Sequence, residues 1–135
     1  MKLNFQKIQL QTLKNDRATY TFNELKDYID WKVERVYFVQ DCAEATGAHF
    51  HFVENEFFIM AKGSAIALID QGNGIEEIPL KGPCDAMVVG NHVWHGFKDF
   101  SDDALLLALS STNYDATRSD YCEDYERYRE ILKDK

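Results

Sequence analysis

Nothing constrains this chain more than its succession of short runs, apolar alternating with polar, cut by turn residues. Val33 to Gln40 is rich in β-branched and aromatic residues and alternates as a half-buried strand does. Ala48 to Val53, Glu56 to Ala61 and Ala65 to Asp70 repeat the pattern, with Lys62-Gly63-Ser64 as the turn between the last two. Gln71-Gly72-Asn73-Gly74 is the strongest hairpin signal, because Asn and Gly accept positive φ, and Ile75 to Leu80 returns from it. Lys81-Gly82-Pro83 breaks the ladder; Ala86 to Val89, Val93 to Phe100 and Ala104 to Leu109 supply the remaining strands. So many strands at this spacing imply an all-β sandwich or antiparallel barrel. A chain of 135 residues can bury a core of its own, and no linker, repeat or low-complexity tract divides it. Residues 1–135 are therefore expected to form a single domain.

Two segments leave the strand pattern. Phe22 to Ile29 is open between a short helix and an irregular loop. After Tyr114-Asp115 the composition turns charged, and Tyr121, Tyr125, Tyr128 and Leu132 recur at spacings of four, three and four. That stripe predicts a C-terminal amphipathic helix on the outside of the barrel, its tyrosines used for packing. Phe50, Phe52 and Phe57 are candidates for the opposite sheet or a contact between copies.

The charge balance limits the partners. The formal net charge is −8 and no run of Lys or Arg makes a basic stripe, so nucleic acid is not expected as a partner. The start, Met1-Lys2-Leu3-Asn4-Phe5-Gln6-Lys7, mixes polar with apolar residues and forms neither a signal-peptide core nor a membrane span; a cytoplasmic protein with no membrane partner is expected. Cys42, Cys84 and Cys122 are odd in number, widely spaced and without a Cys-x-x-Cys, which favours free thiols over a disulfide framework.

The chemistry gathers around Gly47-Ala48-His49-Phe50-His51, with Glu56 and Gly63 following. Side chains alternate faces along a strand, so His49 and His51 point the same way and Phe50 the other. Val93-Trp94-His95-Gly96-Phe97 offers a third imidazole at His95, with Trp94 turned to the outer wall and His92 read as a loop residue. Three histidines and a carboxylate in one barrel admit two uses: ligands for a divalent metal, or a metal-free acid/base set working near neutral pH. Tyr37, on a neighbouring strand, either packs or donates to a developing oxyanion.

Gly47, His49, His51, Glu56 and Gly63 resemble the first cupin motif, and Gly90-Asn91-His92-Val93-Trp94-His95 resembles a weakened second one. The implied fold is a single cupin, a jelly-roll-like antiparallel β-barrel with the C-terminal helix added. Over residues 31–131 the chain is similar to the dTDP-4-keto-6-deoxyglucose 3,4-ketoisomerases. The resemblance rests on Arg35-Val36-Tyr37-Phe38-Val39, the Gly-x-His-x-His segment, Val93-Trp94-His95, Asp99-Phe100-Ser101 and Tyr114-Asp115 with its tyrosine-rich tail. It implies a cytoplasmic homodimer with exchanged N-terminal strands that moves a ketone from carbon 4 to carbon 3 of a dTDP-linked keto-deoxysugar, without a metal, for bacterial surface polysaccharides. It further implies His51 as the base, His49 and Tyr37 assisting at the oxygens, and His95 lining the pocket. The chain departs from that family at Thr46, where an arginine is usual, at Glu56, where glutamine is common, and at Asp16-Arg17-Ala18, a remnant of Asp-x-Arg-Gly. Arg35 or Arg17 is left to grip the substrate. Glu56 either orients an imidazole or completes a divalent-metal site with His49, His51 and His95.

Overall fold

The structure of the chain, a computed structural model, describes residues 2–134; Met1 and Lys135, the ends of the expected 1–135 domain, lie outside the described residues. Twelve strands and one helix run in the order β1 (Phe5–Gln9), β2 (Gln11–Lys14), β3 (Thr19–Phe22), β4 (Arg35–Val39), β5 (Ala45–His51), β6 (Glu56–Lys62), β7 (Ser64–Asp70), β8 (Ile75–Lys81), β9 (Asp85–Val89), β10 (Trp94–Lys98), β11 (Leu105–Ser110), β12 (Tyr121–Cys122) and α1 (Tyr125–Lys133). They form two five-stranded antiparallel sheets, ordered β1-β9-β6-β11-β4 and β12-β5-β10-β7-β8, and a separate β2-β3 hairpin. This is the expected all-β, double-sheet barrel.

Alternation sorts the side chains into layers. Phe58, Met60, Ala67, Ile69, Met87, Leu106 and Phe97 from the two sheets meet in the main core, each almost completely buried. Phe57 turns outward from β6 onto a second cluster with Ile8, Leu10 and Val88. The Asn-Gly hairpin signal joins β7 to β8 as predicted, with the Gly72 N–H donating to Asp70 Oδ1 at 2.7 Å.

The C-terminal helix does lie outside the barrel, over Phe50 and Trp94. Asp124 caps it, its Oδ1 accepting from the Arg127 N–H at 3.1 Å, which satisfies an orphan donor of the first turn. Tyr128 is fully buried; its Oη lies 2.9 Å from the Asp70 carbonyl and 2.6 Å from that of His92, while Tyr125 Oη donates to Asp70 Oδ2 at 2.6 Å. One expectation is corrected here. Tyr121 is not on the helical stripe: it belongs to β12, paired with His51 of β5, because the strand ends before Asp124 starts the helix. The segment 22–29 resolves as a short 3-10 turn at Leu25–Asp27, and the N-terminal strands β1 to β3 add to the strands read from the sequence.

Close backbone approach sets where the imidazoles go. Gly47, at φ 84°, packs against Gly96 so tightly that a Cβ on Gly47 would stand 2.9 Å from Gly96 Cα, and one on Gly96 would stand 2.8 Å from the Ala48 nitrogen. The register between β5 and β10 shifts beside this contact, leaving His95 opposite His49.

Candidate active site

Strands of both sheets deliver the polar side chains to one cavity of about 680 Å³. Of its lining residues, His49 and His51 come from β5, His95 from β10, Arg35 and Tyr37 from β4, and Tyr121 from β12; Glu56 of β6 is buried against them. The parity of the strands does this: Phe50, between the two histidines, goes to the helix side, and Trp94, next to His95, goes with it.

Glu56 is the hub. Its Oε1 lies 3.1 Å from His51 Nε2 and 3.2 Å from His95 Nε2, and its Oε2 accepts the Tyr37 hydroxyl. Burial alone would raise the Glu56 pKa, but the two imidazoles hold it well below the ordinary carboxylate range. Burial works against charge on His95 too, yet Glu56 and the Val93 carbonyl, 3.0 Å from Nδ1, hold its pKa above the usual value. The two form a buried ion pair. Burial and the charge of Glu56 push the Tyr37 phenol far up, so it stays protonated.

The two β5 histidines have different surroundings. His49 is half-buried, its ring centroid 4.7 Å from that of His51 and 4.8 Å from that of His95. Burial, and the charges that His95 and His51 can carry, lower its pKa to about 3, so it remains a neutral imidazole at any ordinary pH. His51 is only 3 % exposed, with Glu56 at Nε2 and, on the Nδ1 side, Glu54 Oε1 and Asp120 Oδ2 each 3.7 Å away. An imidazolium formed there would face three carboxylates.

The signs of these shifts fix how stability follows pH. His49 is neutral in the fold but takes a proton when unfolded, so stability is lost as pH falls from 6.5 toward 3. His95, with a raised folded pKa, contributes stability fully present below 6.5 and lost as pH rises through the folded value. Glu56 contributes above 4.5 and loses that contribution only as pH falls through its much lower folded value. Thermal unfolding followed across pH is expected to give a maximum near 6.5, and His49→Asn to flatten the acid limb while leaving the alkaline one. A profile flat from 4.5 to 8.5 would contradict this charge assignment.

Arg35 lines the cavity, but its charge is already used: Nη2 donates to Glu54 Oε2 at 2.9 Å and to Ser110 Oγ at 3.2 Å. Glu54 also accepts from Ser110 Oγ and Thr112 Oγ1, and burial with the neighbouring Glu56 charge raises its pKa. Arg17 is not at this cavity. It sits in the β2-β3 turn, where its N–H donates to Asn15 Oδ1, because the hairpin stands apart from both sheets. Tyr114, where the composition turns charged, lines the cavity, as do Tyr121, Arg118 and Glu123. Sequence reasoning missed the last three together with Glu54 and Asp120. They lie in or beside connecting segments, where no alternation indicates direction; the tyrosine of the charged tail was the available signal, assigned to the wrong element.

The ligand atoms of His49, His51, Glu56 and His95 fall within 4.8 Å of one another. Glu56 Oε1 and His51 Nδ1 are buried without an aligned hydrogen-bond partner among the described residues. Imidazole and carboxylate suit divalent transition ions, so this set fits such an ion as well as protons.

An antiparallel double-sheet barrel whose two histidine-bearing strands turn their imidazoles inward is a cupin. The chain belongs to the family described as FdtA: WxcM-like, C-terminal, whose model matches residues 3–133. It is 32 % identical over 132 residues to the TDP-4-oxo-6-deoxy-alpha-D-glucose-3,4-oxoisomerase of Aneurinibacillus thermoaerophilus, covering 96 % of this chain and 90 % of that one. Among solved structures it resembles QdtA, a sugar 3,4-ketoisomerase of Thermoanaerobacterium thermosaccharolyticum in complex with TDP, with a TM-score of 0.85, 26 % identity and coverage of 97 % and 96 %. The WlaRB TDP-quinovose 3,4-ketoisomerase of Campylobacter jejuni is similar at a TM-score of 0.83, 28 % identity and coverage of 94 % and 98 %.

Proposed function

We propose that this chain is a TDP-4-keto-6-deoxyhexose 3,4-ketoisomerase of deoxysugar biosynthesis, acting by histidine acid/base chemistry. The observation that carries the reading is the buried Tyr37-Glu56-His51-His95 web, a set of proton sites around one carboxylate inside a cupin of the FdtA family. His51 takes the proton from carbon 3 and returns it to carbon 4; between those steps the imidazolium is flanked by Glu56, Glu54 and Asp120. The oxygens exchange one proton: O3 gives one up and O4 gains one. The Tyr37 hydroxyl and the neutral His49 imidazole relay that proton, each taking one up on the O3 side as it gives its own toward O4, so that both end as they began and Glu56 stays a carboxylate that orients Tyr37. His95 and Arg35 line the pocket and hold Glu56 and Glu54 in place.

No resident metal is needed for this sequence. The charge of Glu56 is balanced by His95 and its second oxygen is occupied by Tyr37. A divalent ion, held by His49, His51, Glu56 and His95, would supply Lewis-acid polarisation of the ketone when bound. Proton NMR of chelator-stripped protein with TDP-4-keto-6-deoxyglucose in D2O separates the two. A 3-keto product carrying solvent deuterium supports the metal-free isomerase; turnover that returns only with added Mn, Fe, Ni or Zn supports the metal reading; an untouched substrate under both conditions overturns the proposed reaction.

The working form is read as a homodimer with exchanged N-terminal strands. Leu13, Tyr20 and Phe22 of the β2-β3 arm are exposed apolar residues, as are Val36 and Phe38 on β4, an edge strand. Such surfaces favour pairing with a second copy, and the arm carries Arg17 with it. The described helix is too short to cross a membrane and the three cysteines are free thiols, which is in keeping with a cytoplasmic site of action.

A further inference from the structure

A sugar nucleotide presents two requirements to its enzyme. Acid/base groups must reach carbons 3 and 4 of the pyranose, and a cationic group must meet the diphosphate on carbon 1, across the ring from carbon 4. The first requirement is met by the histidines. Among the described residues lining the cavity, His95 is paired with the buried Glu56, the remaining cations are Arg35 and Arg118, and Thr46 and Gly47 of β5 bring no charge to it. Arg35 is mostly buried and committed to the buried Glu54, so drawing it away would leave a buried carboxylate unpaired.

Arg118 is placed differently. Its guanidinium lies over the Tyr121 ring, 4.3 Å from the centroid, and that ring meets His51 edge-on at 4.5 Å between centroids. The guanidinium therefore stands one aromatic ring away from the imidazoles, as a grip on the far side of a pyranose must. Its present partner is Glu123, which also lines the cavity; Nη2 donates to Glu123 Oε1 at 2.8 Å, and the two side chains are 49 % and 63 % exposed. An exposed pair of this kind is weak and exchangeable, whereas a diphosphate offers a guanidinium two charged oxygens at once.

The loop is built to hold Arg118 there. Asp115 accepts from the Thr117 N–H at 2.9 Å, from Thr117 Oγ1 at 2.7 Å and from Ser119 Oγ at 2.7 Å, while Asp120 ties the other side of the loop to the Val53 and Glu54 N–H groups. Between these anchors Arg118 sits at φ 54°, a conformation in which glycine is the easier residue.

We propose that Arg118 is the diphosphate grip of this chain: the anion of the nucleotide sugar displaces Glu123 and is held by the guanidinium stacked on Tyr121, with the sugar reaching from there to His51. The inference rests on the sugar-nucleotide reading and assigns a specific residue to it. Calorimetric titration with TDP, which needs no turnover, tests it directly. Arg118→Gln is expected to weaken TDP binding about 10- to 100-fold, with Arg118→Lys intermediate. Glu123→Gln is expected to tighten it about 2- to 5-fold by removing the competing carboxylate. With the keto-sugar substrate, Arg118→Gln is expected to raise KM and leave kcat within about twofold. Arg118→Gly, which relaxes the backbone, is expected to lose affinity while keeping or raising Tm, an outcome that a merely structural role for the arginine does not produce. Unchanged TDP affinity in Arg118→Gln, beside a wild type that binds TDP, overturns the inference alone. A wild type that binds no TDP overturns the sugar-nucleotide reading and this inference with it.

Discussion

His51→Asn is expected to lower the rate of isomerisation by about 10²- to 10⁴-fold, the range that removal of a positioned general base covers. The substitution takes away a titratable nitrogen pair with carboxylates on both sides, Glu56 at Nε2 and Glu54 with Asp120 at Nδ1. Asparagine keeps a polar group in a position that is 3 % exposed, so the barrel is expected to fold. Its amide has no basic nitrogen, and the carbon 3 proton then has no acceptor at that position. The measurement is a pair: product formation and deuterium uptake by NMR, and TDP affinity by calorimetry. TDP affinity is expected to stay within about twofold, because the proposed diphosphate grip is Arg118 and not the imidazole. Turnover near the wild-type rate would move the base to His49, a neutral imidazole at the same cavity.

The second large effect concerns stability. Glu56→Ala deletes the acceptor of the Tyr37 hydroxyl and the partner of both His51 and His95, all of them buried or nearly so. Removing one member of a buried ion pair leaves the other uncompensated, at a cost of about 3–5 kcal/mol. For a chain of this size that is a Tm lower by about 10–20 °C, readable by thermal unfolding near pH 6.5. Glu56→Gln keeps the shape and an acceptor for Tyr37 and is expected to cost less. Its deficit should also shrink as pH rises through the raised value of His95, since a neutral His95 no longer needs the carboxylate. An alanine variant as stable as wild type would show that Glu56 holds nothing together.

Much of the site was legible because it sits on strands. His49, His51, Glu56 and His95 occupy positions whose direction follows from parity, and parity is a local property that a few consecutive residues define. Tyr37 was left between packing and chemistry, since alternation says that it points inward and not what it meets; the meeting with Glu56 depends on β4 and β6 both flanking β11. Tyr121 was read as helical because its spacing of four to Tyr125 fits a helix face as well as it fits chance. Its pairing with His51 is a contact between residues seventy apart in the chain, which no local period records. The first strands were missed for a related reason. β2 is exposed throughout, so its residues carry no inward face to alternate against.

By itself the sequence determined the strand rhythm, the inward set of three imidazoles and a carboxylate, the free cysteines and the resemblance that named the reaction class. The tertiary structure decided how the charges are shared: that Glu56 pairs with His95, that Arg35 is consumed by Glu54, that Arg17 stands away from the cavity and that Arg118 stands at it. The reason is physical. Side-chain direction on a strand is set by neighbouring residues, whereas the energy of a charge is set by whatever the fold brings within a few ångströms of it, from any distance along the chain.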